Sequence, residues 1–107
     1  MTSWQVNYTE DAKQDLTDIY RYISDVLLAP KTAEKQTNRI MDAVDSLSQM
    51  PLRHRTYEKE SLRIIGLRVL PIDSYLVFYL PDESKKSVVI IRIMYSGSDA
   101  TKHLRNH

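Results

Sequence analysis

The chain has 107 residues, 15 Lys and Arg against 14 Asp and Glu, and a formal net charge of +1. That length supports one domain with one modest core, and 42% hydrophobic with 27% charged residues is the balance of a folded globular chain, not a disordered one. The absence of cysteine excludes disulfides and thiol catalysis, and no apolar run approaches the roughly 20 residues that cross a bilayer.

The start, MTSWQVNYTED, lacks the basic and apolar stretches of a secretory signal, so a cytoplasmic location is expected. Trp4, Val6 and Tyr8 then alternate with Gln5 and Asn7, a period of two that predicts a first strand. Thr9 offers an oxygen to cap a helix, and Glu10 and Asp11 place acid in its first turn, where the helix dipole favours it. Ala12, Leu16, Ile19, Tyr20, Ile23 and Leu27 recur at spacings of three and four, predicting a helix over about 10–28. Pro30 breaks it and opens a second helix, in which Ala33, Thr37, Ile40, Val44 and Leu47 repeat the pattern until Pro51. So short a connection predicts an antiparallel helical hairpin.

Leu52–Glu60, LRHRTYEKE, has neither period and reads as a basic loop. Three β-rich runs follow. Strand two is expected over about 62–70 with a bulge at Gly66, strand three over 75–80 and strand four over 88–95, the last two joined by the turn Pro81–Lys86. Their short connections require antiparallel pairing. Strand one must then join an edge of the same sheet. The fold expected for 1–107 is a single α+β domain, βααβββ, with the hairpin on one face of a small, mainly antiparallel four-stranded sheet.

Charge divides along the chain: residues 1–50 carry 5 basic and 8 acidic side chains, residues 51–107 carry 10 and 6. A polyanion should therefore meet the second half, unless this modest imbalance serves solubility alone. In the loop, Arg53, Arg55 and Lys59 with Tyr57 combine phosphate-binding cations and a stacking ring, while Glu58 or His54 could act as a general base. A solvated loop is the competing reading. Arg68 alternates with Leu67 and Val69, so it is expected on the opposite, open face of strand two, presenting its fork to a phosphate or pairing with Asp73 or Asp99. Arg92 in strand four is a second such residue, if it shares that face. Tyr75, Tyr79 and Tyr95 fit strand packing better than ligand stacking. Two glycines cannot build a nucleotide loop, and His103 with His107 is the one metal-like spacing, in the tail, so neither metal nor cofactor is expected.

The ordered phrases VNYTEDAKQDLTDIYRYI, SLSQMP, LRVLP, YLVFYLP and IIRIMYSGSD cover nearly the whole chain. Together they resemble the RelE/ParE superfamily of toxins from bacterial type II toxin–antitoxin systems. The resemblance implies a growth inhibitor, serving roles such as plasmid stabilisation, that a cognate antitoxin neutralises by covering the helical hairpin and sheet; Leu28 and Met41 would be partner surface. RelE-like members cut messenger RNA on the ribosome without metal, whereas ParE-like members poison DNA gyrase without known chemistry of their own. Ribonuclease members commonly carry arginine inside the third strand, where this chain has Leu76, and arginine or a His/Tyr pair just after the fourth, where it has Ser96–Asp99 with Ser98 at the usual arginine position. Of that catalytic set Arg68, Tyr95 and the loop residues remain. The expectation is a ParE-like gyrase inhibitor. The alternatives are a RelE-like mRNA interferase or a non-toxic relic that still binds its antitoxin.

Overall fold

The computed structural model describes residues 3–56 and 66–97. Strand β1 (Gln5–Tyr8) leads into helix α1 (Glu10–Arg21), whose last turn widens into a π-helical turn at Tyr22–Val26. Helix α2 (Pro30–Asp45) follows, then short 3-10 turns at Ser46–Ser48 and Pro51–Arg53. Strands β2 (Arg68–Ile72), β3 (Tyr75–Asp82) and β4 (Ser87–Tyr95) complete one sheet in the order β1-β4-β3-β2. The β2–β3 and β3–β4 pairs are antiparallel, and β1 lies parallel to β4 at the edge. The expected mainly antiparallel α+β sheet is therefore present.

Local chemistry explains the element ends. The Thr9 hydroxyl accepts from the Ala12 amide at 3.0 Å, which caps α1 as its sequence suggests. Pro30 occupies the first turn of α2, where its missing amide proton costs nothing. Between these helices Leu28 stands at φ 56°, a left-handed conformation that a leucine adopts at a cost of about 1–2 kcal/mol.

The main core lies between hairpin and sheet. Ala12, Ile40, Val44 and Leu47 from the helical half meet Val77, Tyr79, Val88 and Ile90 from the strands, all at 0–1% exposure. Burial this complete makes the helix–sheet layer the principal source of stability. Trp4 closes one end of it, its amide donating to Ser48 O at 2.7 Å.

Three sequence expectations are corrected. Gly66 sits at φ 81° in a turn before β2 and not in a bulge, and β2 runs on to Ile72; the expected start of strand two at 62–65 lies outside the described residues. Pro71 is tolerated there because β2 is an edge strand, where one missing amide need not break a ladder. The irregularity falls instead at Phe78/Tyr79, where Tyr79 pairs with Ile90 while Phe78 pairs with Arg92. Finally, the face opposite the helices is not bare. Leu67, Val69, Phe78 and Met94 form a second buried cluster there, with Leu76, Leu80 and Ile91 packed against it.

Candidate functional site

Arg68 does not project from that opposite face. Leu67 and Val69 belong to the second cluster, so the alternation of β2 turns Arg68 toward the helix side, beside its cross-strand partner Tyr79. There its Nη1 donates to His54 O at 2.6 Å and to Leu52 O at 3.2 Å, and the Tyr79 hydroxyl donates to Pro51 O at 2.6 Å. The two side chains staple the segment 51–54 onto the end of the sheet. Arg68 makes no ion pair with Asp73, which instead takes a bidentate bond from Arg39 (2.8 and 3.0 Å) and one from Gln36. Asp99 lies outside the described residues.

Among the described residues, this arrangement leaves the Nε of Arg68 buried and without a hydrogen-bond partner. Beside it, His54 rests edge-on to Tyr79 at 6.4 Å between ring centroids, and its Nε2 accepts from Arg53 Nε at 3.5 Å. Burial first, then the cations of Arg53 and Arg68, hold the His54 imidazole below its ordinary 6.5, so it is neutral at pH 7. Burial likewise pushes the Tyr79 hydroxyl up to about 12. The chemistry available is a neutral imidazole flanked by two guanidiniums, one of them already engaged with backbone carbonyls. Arg55 contributes its carbonyl to the Val69 amide at 3.2 Å. Tyr57, Glu58 and Lys59 lie outside the described residues.

Arg92 and Tyr95 belong to a different place. β1 ends where Tyr8 pairs with Ile90, and helix α1 then takes over its role along the β4 edge. The Thr9 amide donates to Ile90 O, its hydroxyl donates to Ile91 O at 2.9 Å, and Asp15 accepts from the Ile93 amide at 2.9 Å. The same carboxylate receives Nε and Nη2 of Arg92 at 2.7 and 2.9 Å, with the two side chains 12% and 18% exposed. Donating those bonds to Asp15 raises the Arg92 guanidinium further above its ordinary value. Arg92 thus serves an internal ion pair. Asp15 was overlooked in the sequence, although an acid within the stripe Ala12–Leu16–Ile19 is a readable anomaly.

Arg92 and Tyr95 line a cleft of about 770 Å³ between the hairpin turn and the ends of β3 and β4. Tyr22, Ile23, Leu27, Tyr75 and Met94 supply much of its wall. Tyr75 and Tyr95 meet edge to face at 6.0 Å, and burial with the nearby phenols of Tyr95 and Tyr22 pushes the Tyr75 hydroxyl upward. The candidates therefore divide into two groups, Arg53–His54–Arg68 at one edge of the sheet and Arg92–Tyr95 at the other. Among the described residues no cluster of three His, Cys, Asp or Glu could hold a metal. No helix among them is long and apolar enough to cross a membrane.

A search of curated protein sequences finds no match. Solved structures share the architecture. The chromosomal ParDE toxin–antitoxin system of P. aeruginosa superposes with a TM-score of 0.71 at 24% identity, over 87% of this chain and 96% of that one. The RelBE2 toxin–antitoxin complex of Mycobacterium tuberculosis gives 0.62 at 22% identity, over 88% and 99%. The archaeal RelE–RelB complex of Pyrococcus horikoshii OT3 gives 0.54 at 14%, over 90% and 98%. At these identities the likeness is one of fold. A family profile described as the ParE toxin of the type II toxin–antitoxin system parDE matches residues 6–100, which takes in β1, the hairpin and all three later strands. With sheet order, hairpin and profile in agreement, the chain belongs to the ParE toxin family of type II toxin–antitoxin systems.

Proposed function

We propose that this chain inhibits growth by binding a protein target, DNA gyrase, in the cytoplasm, and that a cognate antitoxin neutralises it. The observation that carries this reading is the fate of its strand arginines. Arg68 is spent on the carbonyls of Leu52 and His54, and Arg92 on Asp15, so the two do not converge on one open position. Leu76, which stands where ribonuclease relatives commonly have arginine, packs into the apolar cluster of Phe78 and Met94. A phosphoryl-transfer site needs preorganised donors aimed at developing charge, and each donor removed costs about 3 kcal/mol. The toxin–antitoxin systems that share this architecture support a partner of the same kind here.

A second reading, RNA cleavage on the ribosome, draws on the neutral His54 beside Arg53 and the orphaned Nε of Arg68. Induction of the chain alone separates them. Gyrase poisoning predicts DNA breaks and filamentous cells, with relief in a strain carrying resistant gyrase. Prompt translational arrest with messenger cut in the ribosomal A site would overturn the gyrase reading. Unimpaired growth would leave a relic that binds an antitoxin without harming the cell.

A further inference from the structure

We infer that residues 50–55 form a rigid finger, basic and apolar at once, that docks on a protein surface offering carboxylates around an apolar socket. This deepens the reading of the chain as an inhibitor that acts by binding a protein target, and it rests on that reading.

The rigidity comes from the sheet. The finger's carbonyls are taken in turn: Pro51 by the Tyr79 hydroxyl, Leu52 and His54 by Arg68, and Arg55 by the Val69 amide. Pro51 is buried, and the Arg53 amide returns to Met50 O in the 3-10 turn. With its main chain turned inward, the segment presents side chains: Met50 is 59% exposed, Leu52 40%, and Arg53 and Arg55 are exposed as well. A shape fixed in advance lowers the ordering cost of association. Fixing it has a cost of its own, because among the described residues Arg68 Nε stays buried and unpaired. A loop held ready for binding accounts for that cost, whereas a merely solvated connection would not need it.

Charge and exposed apolar tips specify the occupant. Residues 46–56 contain no acid, and Arg53 and Arg55 are their charges. Through residue 65, past the described part, the sequence sets Arg53, Arg55, Lys59 and Arg63 against Glu58 and Glu60, so the surplus stays positive. An acidic surface complements it. Met50 and Leu52 gain from burial only where the partner is apolar, which calls for a socket among the carboxylates. Nucleic acid would reward the cations but not these two tips. Bases stack on exposed rings, and Tyr79, the phenol at this edge, is 0% exposed.

The test compares the full chain with Met50→Ser/Leu52→Ser and with Arg53→Glu, surface changes that should leave the unfolding midpoint unaltered. Each is titrated against purified gyrase and against a single-stranded oligouridylate, and each is induced in cells lacking an antitoxin. Both variants should bind gyrase at least about tenfold more weakly and lose growth inhibition. Raising the salt concentration should shrink the deficit of Arg53→Glu and leave that of the serine variant. Variants that match the unaltered chain in gyrase binding would overturn the finger and leave the gyrase reading standing. Tight oligouridylate binding that Arg53→Glu alone weakens would overturn it in favour of nucleic acid. If the unaltered chain inhibits growth without binding gyrase, the gyrase reading falls and the serine variant decides: lost inhibition supports the finger, retained inhibition overturns it. A chain that neither binds gyrase nor inhibits growth overturns both.

Discussion

The two edges of the sheet each contain a strand arginine, and each solves the burial of a guanidinium differently. At the β2 edge Arg68 is satisfied by backbone carbonyls of a neighbouring turn and keeps one buried N–H unpaired. At the β4 edge Arg92 meets a carboxylate in matched two-point geometry. The first arrangement positions a loop by hydrogen bonds between a charge and neutral dipoles. The second joins helix to sheet through opposite charges in a poorly solvated place, where breaking one partner strands the other. Identical residue types thus carry different structural duties, and β-alternation alone cannot distinguish them.

That contrast can be broken by substitution. Arg92→Ala should destabilise by about 3 kcal/mol in denaturant unfolding, because it leaves Asp15 without its cation. Arg92→Ala with Asp15→Ala should cost less than the two single losses added; strict additivity would show the pair to be uncoupled. Arg68→Ala should cost less, about 1–2 kcal/mol, and hydrogen exchange should quicken at residues 51–56 while β3 and β4 stay protected. Uniform loss of protection would instead make Arg68 part of the global core.

The smallest effect is the pH response of the β2 edge. His54 titrates below 6.5 when folded, so between its folded value and 6.5 the unfolded chain binds more protons. Stability therefore falls as pH drops below about 6.5, and His54→Gln should flatten that part of the profile. An unchanged slope would assign the acid sensitivity to other groups.

Much of the architecture was legible from residue order. Period-two and helical stripes located β1, both helices, β3 and β4, and the Thr9 cap and Pro30 start are chemistry a reader can see in the string. What escaped was set by partners far along the chain. The face of Arg68 depended on where β2 begins, and Gly66 disguised that by suggesting a strand irregularity in place of a turn. The second apolar cluster was missed because Leu67 and Val69 alternate with an arginine that looked exposed. Asp15 was passed over because its two partners lie 77 and 78 residues away. The candidate residues shared this limit: their division between two places is a property of the sheet and could not be read from residue order.

The placement of β1 beside β4 has a consequence for how the protein comes into being. The Thr9 hydroxyl reaches across 82 residues to Ile91, so the earliest strand has no neighbour in the sheet until the last one is made. Such distant closure is slow and follows, in time, the local hairpins. Until that pairing forms, a chain with both helices and both local hairpins still presents an open β4 edge, so the meeting of the two most distant strands is the step that completes the sheet.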